Sequence, residues 1–194
     1  MSVLAGLALA GFALAWATSA LCTRGSSAAV TGRTRVAATS TWKTLDLKRV
    51  RYRGRGQGNY ALWSTGTFGD LTVWMSTAVG GITGEDKFFV SSAGHAHAAM
   101  GFSDLGLYEV TYTATCYAGP AKTRPVTSPE VSFYFAVGAY WEWVARHFQP
   151  ERWWEVVSLE SADADGDSIP NLVEYACGLD PRTPDLMTHQ RGSL

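Results

Sequence analysis

The stretch LYEVTYTATC, at residues 107–116, alternates between two kinds of side chain with a period of two. Successive side chains of an extended chain point to opposite sides, so one side of this stretch is apolar and the other polar. The apolar side carries Tyr108, Val110, Tyr112, Ala114 and Cys116, and the polar side carries Glu109, Thr111, Thr113 and Thr115. The stretch therefore predicts a β-strand with one face toward a hydrophobic core.

Further short apolar or alternating runs lie on both sides of this stretch. They are NYALWS at residues 59–64, LTVWMS at 71–76, DKFFVS at 86–91 and VSFYFAV at 131–137, and glycine-containing turns punctuate them. Short strands at regular spacing with little helical signal are typical of all-β domains. We expect a mainly β fold, an antiparallel immunoglobulin-like β-sandwich over residues 42–138.

The spacing of apolar residues changes after residue 138. In YWEWVARHF, at residues 140–148, Trp141, Val144 and Phe148 recur at helical intervals, and Pro150 ends this helix or begins the next. We expect a small C-terminal helical appendage over residues 139–187 and a disordered end over 188–194.

The N-terminal segment is apolar. Its first 22 residues carry no charged side chain and include small residues near their end, as in the signal peptide of an exported protein. No basic residue precedes the apolar run, so an uncleaved membrane anchor is the alternative. We expect this leader or anchor at residues 1–28, a linker at 29–41, and a secreted or cell-surface location.

The charge of the chain favours no nucleic-acid partner. The net charge is -1 and charged residues make up 17% of the chain. Nucleic-acid binding is therefore not expected, and a membrane contact is expected only through the N-terminal segment. The row Arg49, Arg51, Arg53 and Arg55 could hold an acidic polysaccharide or a phosphate backbone. Alternating cations also protect an edge strand from pairing with another chain, which is the interpretation we favour.

The strongest chemical motif is DADGDSIPNLVE, at residues 163–174. A twelve-residue calcium loop supplies oxygen ligands from positions 1, 3, 5, 7, 9 and 12. Those positions hold Asp163, Asp165, Asp167, the carbonyl of Ile169, Asn171 and Glu174. Pro170 and Asn171 would begin a helix that Gly178 ends. We expect a structural calcium ion that holds the helical appendage together.

One position of this loop departs from the usual pattern. Ser168 stands at position 6, where such loops have glycine because the backbone there adopts a positive φ. The alternative to calcium is an acidic, solvated turn whose Asp and Asn residues cap the helix. Three alternating aspartates in register with Asn171 and Glu174 favour calcium.

His95 and His97 form a second candidate metal site, apart from the acidic loop. Side chains two residues apart on a strand point to the same side, so both could bind one zinc ion. A third ligand would have to come from His147, Asp86 or Asp104. The alternative is that the pair packs beside aromatic rings or hydrogen-bonds a neighbouring strand.

Cys116 and Cys177 would both remain after removal of the leader, and they could pair in an oxidising compartment. Neither belongs to a CxxC motif or a Cys/His cluster. We therefore favour two separate buried thiols.

Residues 141–185 resemble a known kind of calcium-binding segment. The string DADGDSIPNLVEYACGLDP is similar to the DxDGDxxxNLxEYAxGxDP segments of large exported bacterial surface proteins, and these are similar to half of a dockerin or to a thrombospondin type 3 repeat. The resemblance implies calcium binding and a surface or secreted context, and it implies no catalysis.

Residues 59–138 resemble the choice-of-anchor M domain, also described as a surface-anchored protein repeat. The similarity lies in VSSAGHAHAAMGFSDLGLYEVTYTAT and in the strand SFYFAVG, with Ala99 and Met100 where the family usually has Asn-Trp. The resemblance implies attachment to bacterial cell walls or surfaces, and the family has no defined biochemical activity.

The sequence thus predicts an exported bacterial surface module that acts as a binding or structural protein and has a polysaccharide or protein ligand of unknown identity. One alternative is a metal-dependent hydrolase centred on His95 and His97. Another is a carbohydrate-binding module that uses Trp63 or Trp74. An enzyme is less favoured, because the sequence has no nucleophile elbow, zinc-protease helix motif or phosphate-binding loop.

Overall fold

The computed structural model describes residues 42–91, 96–118 and 124–185. Within these residues the fold is mainly β and every strand pair is antiparallel, as predicted. The strands are β1 (Trp42–Gly54), β2 (Tyr60–Thr65), β3 (Leu71–Ser76), β4 (Lys87–Ser91), β5 (Ala99–Phe102), β6 (Gly106–Ala118), β7 (Arg124–Thr127) and β8 (Val131–Val137). The predicted leader, linker and disordered end lie outside the described residues.

The strands form two sheets, and β6 is the centre of the larger one. That sheet has the order β4-β1-β6-β7, and β8 also pairs with β6. β1 follows one edge of β6, from Lys43 opposite Cys116 to Gly54 opposite Gly106. β8 and β7 divide the other edge between them, at residues 106–112 and 115–118 of β6. The smaller sheet has the order β3-β2-β5.

One hydrophobic core takes side chains from both sheets. Its buried members are Leu45, Leu47, Tyr60, Leu62, Met75, Phe88, Tyr108, Val110 and Tyr112. The hydroxyl groups of Tyr60 on β2 and Tyr112 on β6 are 2.7 Å apart, so a buried hydrogen bond joins the two sheets. Burial raises the pKa of both hydroxyl groups, which therefore stay neutral. The apolar side of β6 faces the core as predicted.

Much of the opposite side of β6 is also buried, and the C-terminal region covers it at Leu107. Leu107 is 0% exposed and belongs to a second hydrophobic cluster. Glu109 is 5% exposed and accepts hydrogen bonds from Arg49 at 3.3 Å and from Arg51 at 3.2 Å. The alternation at residues 107–116 predicted the two sides of the strand correctly. It did not indicate that the C-terminal region packs on the second side.

The C-terminal region consists of short helices. They are α1 (Ala139–His147), two 3-10 helices (Pro150–Trp154 and Val156–Ser158) and α2 (Asn171–Cys177). Gln149 is extended, as expected for the residue before a proline, and this separates α1 from the next helix. The aromatic side chains of the region surround Leu107, and the cluster contains Trp141, Trp143, Val144, Phe148 and Trp153.

Two arginines of β1 and Arg55, which directly follows that strand, attach the C-terminal region to the sheet. Arg53 donates hydrogen bonds to the carbonyls of Trp154 and Glu155 and to the hydroxyl of Ser158. Arg51 lies 4.2 Å from the ring centroid of Trp154, and Arg55 pairs with Glu160. β4 pairs only with residues 42–46 of β1, so among the described residues the arginine row does lie along a sheet edge. The guanidinium groups of Arg51, Arg53 and Arg55 also bind the C-terminal region.

The two described cysteines are not bonded to each other. Cys116 is buried in β6 and Cys177 is exposed at the end of α2. The predicted burial of Cys116 is confirmed, and that of Cys177 is wrong, because the last turn of α2 faces solvent at this residue.

The described residues contain no helix of the length and apolar character needed to cross a membrane.

Candidate metal centre

The acidic loop at residues 163–174 is closed at its base by two backbone hydrogen bonds. The N–H of Asn171 donates to the carbonyl of Ala162 at 2.7 Å, and that of Leu172 donates to the carbonyl of Glu160 at 3.0 Å. The helix that follows begins at Asn171, and Gly178 ends it with a φ of 73°. Both helix boundaries agree with the prediction, and the first turn of the helix carries Asn171 and Glu174, positions 9 and 12 of the loop.

Backbone N–H groups of the loop orient its carboxylates. The donors are Gly166 and Ser168 to Asp163 at 2.7 and 2.8 Å, Asp167 to Asp165 at 3.2 Å, and Ile169 to Asp167 at 2.7 Å. One oxygen from each of Asp163, Asp165 and Asp167 lies within 4.8 Å of the others. The structure therefore brings together the three aspartates that the sequence placed at positions 1, 3 and 5.

Ser168 adopts the backbone conformation that its position in the loop requires. Its φ is 75°, and it is the only non-glycine residue in the described ranges with a positive φ. The left-handed conformation costs a residue with a Cβ atom about 1 kcal/mol or more. The chain accepts this cost at the point where the loop turns.

Glu174, at position 12, is a buried carboxylate without a partner. It is 0% exposed, and within the described residues neither of its side-chain oxygens has a hydrogen-bond donor. Burial and the negative charges of Asp165, Asp167, Asp185 and Asp163 raise its pKa from 4.5 to about 7. A positive charge beside Glu174, such as a bound cation, would lower this pKa again.

Asn171, at position 9, presents one particular atom to the site. Its side-chain N–H groups donate to the carbonyls of Val157 and Leu159, at 2.8 Å each. Its Oδ1 is buried and has no hydrogen-bond partner in the described part of the chain. The amide is therefore fixed with its oxygen left over, which is the atom that a cation would bind.

The remaining predicted ligands lie in the same loop with different surroundings. Asp163 is exposed, and the N–H of Ser168 lowers the pKa of its carboxyl group. Asp165 is half-buried, and desolvation raises its pKa. Ile169, whose carbonyl is the predicted ligand at position 7, has a buried side chain.

Sequence analysis missed one carboxylate at this site. The N–H of Asp185 donates to Oδ2 of Asp167 at 2.7 Å, and Oδ2 of Asp185 is buried without a hydrogen-bond partner among the described residues. Asp185 follows the twelve-residue loop by a further turn of chain, so no loop pattern includes it. In the sequence, Asp185 is marked only by its acidic side chain and by its position after Gly178, where the helix ends, and after the turn at Pro181.

The donor set of the site fits a hard cation. In the described residues, nine buried side-chain N or O atoms lack a hydrogen-bond partner, and five of the nine are oxygens of this site. The five are Asp165 Oδ2, Asn171 Oδ1, Glu174 Oε1, Glu174 Oε2 and Asp185 Oδ2. Buried polar atoms are normally paired, so a local concentration of unpaired oxygens indicates a missing partner. Six to eight oxygen ligands are what calcium prefers.

The histidine pair is only partly described. His95 lies outside the described residues, and His97 is exposed in the segment before β5. Asp86 and Asp104, two of the candidate third ligands, accept hydrogen bonds from backbone N–H groups. His147, the other candidate, lies in α1 of the C-terminal region. The zinc site stays a prediction.

The two tryptophans considered for sugar binding differ in their surroundings. Trp74 packs against Phe88 and Phe89 and donates a hydrogen bond to Ser64 at 2.9 Å. Trp63 is half-buried and lies so close to Gly101 that a Cβ atom there would be 2.8 Å from the indole ring. Trp74 is engaged in packing, and carbohydrate binding stays a prediction.

Comparison of the chain with protein-family models, with curated proteins and with solved structures finds no match.

Proposed function

We propose that residues 163–174 bind one structural calcium ion in an exported, surface-associated bacterial module of the binding or structural type. The observation that carries the proposal is Glu174, a fully buried carboxylate whose two oxygens have no hydrogen-bond partner among the described residues. Burial of an unpaired charge is costly, and buried carboxylates normally pair with a cation or take up a proton. A divalent cation between Glu174 and the three aspartates removes this cost.

The chemistry of the site favours calcium over other metals. All of its candidate donors are oxygens, from carboxylates, an amide and a backbone carbonyl. Zinc prefers nitrogen and sulfur ligands in structural sites, and magnesium requires a small octahedral site and keeps several waters. Calcium accepts a flexible loop with many carboxylates.

A secreted or surface location agrees with a site that binds calcium weakly. The left-handed backbone of Ser168 opposes tight binding. Extracellular calcium modules bind with dissociation constants of about 10⁻⁴–10⁻³ M. The apolar first 22 residues point to the same compartment.

The proposed architecture is an immunoglobulin-like β-sandwich whose calcium-stabilised C-terminal region covers one sheet. Two antiparallel sheets with a shared core support it. The ligand of the module, a polysaccharide or a protein, stays a prediction from the sequence.

Thermal unfolding with chelator and with calcium tests the proposal. A ligand at 100 times its dissociation constant stabilises the folded state by about 2.7 kcal/mol, which raises the midpoint by roughly 5–10 °C for a chain of this size. We expect this rise in the parent, its loss in Asp165→Ala, and its retention in Glu151→Ala, which removes an exposed carboxylate outside the loop. An unchanged midpoint of the parent at saturating calcium contradicts the proposal.

A further inference from the structure

The segment that follows α2 returns to the acidic loop. Gly178 turns the chain with a φ of 73°, Pro181 is fully buried, and Asp180 pairs with Arg182. The chain then reaches the loop, where the N–H of Asp185 donates to Oδ2 of Asp167 at 2.7 Å. The backbone of residue 185 is therefore fixed beside a predicted calcium ligand.

The side chain of Asp185 lacks a partner where it meets the loop. Its Oδ2 is buried, and none of the described residues donates a hydrogen bond to it. Glu174, at position 12 of the loop, also keeps two buried oxygens without a hydrogen-bond partner in the described part of the chain. None of the ion pairs in the described residues involves Asp185 or Glu174. Two carboxylates of the same sign thus share a buried site without a cation from the protein.

We propose that Asp185 is an additional ligand of the same calcium ion, supplied from outside the twelve-residue loop, so that calcium fastens residues 178–185 onto the loop. The proposal rests on the calcium site of residues 163–174. Asp185 brings the number of carboxylates at the site to five, with Asp163, Asp165, Asp167 and Glu174. Calcium affinity increases with the charge of the ligand set, so the additional carboxylate offsets part of the cost of the strained backbone at Ser168.

The variant Asp185→Asn isolates the role of the carboxylate. It keeps the size of the side chain and the backbone N–H that donates to Asp167, and it removes the negative charge. Isothermal titration of the full-length protein with calcium is expected to give a dissociation constant roughly tenfold or more above that of the parent, the scale on which even residues that only support a metal ligand act. Asp185→Glu keeps the charge, and its dissociation constant for calcium is expected to lie between those of the parent and of Asp185→Asn. Asp70→Asn, an exchange of the same kind in the turn between β2 and β3, is expected to bind calcium as the parent does.

Trypsin gives a second readout, at the bond between Arg182 and Thr183. Arg182 is exposed and lies within the segment that calcium would fasten. Calcium is expected to slow cleavage of this bond in the parent and in Asp70→Asn, and to have little effect in Asp185→Asn, as measured by mass spectrometry of the released fragment.

The outcomes separate this proposal from the one on which it rests. If Asp185→Asn binds calcium as tightly as the parent, the role of Asp185 as a ligand is wrong and the calcium site stands. If calcium binds but does not slow cleavage after Arg182 in the parent, the fastening of the segment is wrong. If the parent itself binds no calcium, the proposed function is wrong.

Discussion

The core around β6 and the acidic loop treat their buried polar groups in opposite ways. The hydroxyl groups of Tyr60 and Tyr112 in the core bond to each other, and Glu109 on the opposite side of β6 accepts hydrogen bonds from Arg49 and Arg51. In the loop, Glu174 and Asn171 keep buried oxygens that no described residue satisfies. The groups around β6 named here are paired by side chains of the protein, whereas the oxygens of the loop would be paired by the calcium ion that we propose. If the proposal is right, calcium changes the stability of the loop and leaves the pairing around β6 as it is.

The largest effect is expected from a cavity in the core. Leu62 is 2% exposed, so Leu62→Ala should reduce the free energy of unfolding by about 2–5 kcal/mol. The increase in stability on adding calcium should stay the same, because effects of separate sites are additive. Urea unfolding with chelator and with calcium measures both quantities. Loss of the calcium increment in Leu62→Ala would mean that the two regions are not independent.

A smaller effect, on how stability depends on pH, is expected at Glu174. In the calcium-free protein the pKa of this group is raised from 4.5 to about 7. The folded state therefore binds the proton more tightly than the unfolded state, and stability is lost as the pH rises through this window. Glu174→Gln should remove this loss, so that the calcium-free variant is more stable than the calcium-free parent at pH 7. It should also lose most of the stabilisation by calcium.

Unfolding in chelator between pH 4.5 and pH 7.5 measures the first part of this prediction. Glu109→Gln is a suitable control for the removal of a buried carboxylate that has arginine partners, and it should be less stable than the parent at pH 7. The assignment to Glu174 is wrong if Glu174→Gln shows the same dependence on pH as the parent.

The smallest effect is expected at Ser168. Glycine adopts a φ of 75° without the Cβ penalty, so Ser168→Gly should stabilise the calcium-free protein by about 0.5–1 kcal/mol and tighten calcium binding. Gly178→Ser introduces the opposite change at a φ of 73° outside the loop and should destabilise the protein by a similar amount. A lower stability of Ser168→Gly would show that the serine side chain contributes more than the strain removes.

Sequence reasoning reached the features of this molecule that depend on neighbours along the chain. The alternation at residues 107–116, the helix that begins at Asn171 and the convergence of the loop aspartates all follow from local spacing. The burial of Leu107 did not follow, because it depends on a region that lies more than thirty residues further along the chain. The contact of Arg53 with the C-terminal region and that of Asp185 with the loop did not follow for the same reason, since both depend on how separate segments pack together.

The position of Leu107 also bears on how such a chain can evolve. This residue belongs to the cluster of the C-terminal helices, although β6 supplies it. Exchange of those helices for an unrelated segment would leave the apolar side chain of Leu107 uncovered on the sheet. A replacement segment would therefore have to cover Leu107 again, or β6 would need a polar residue at this position.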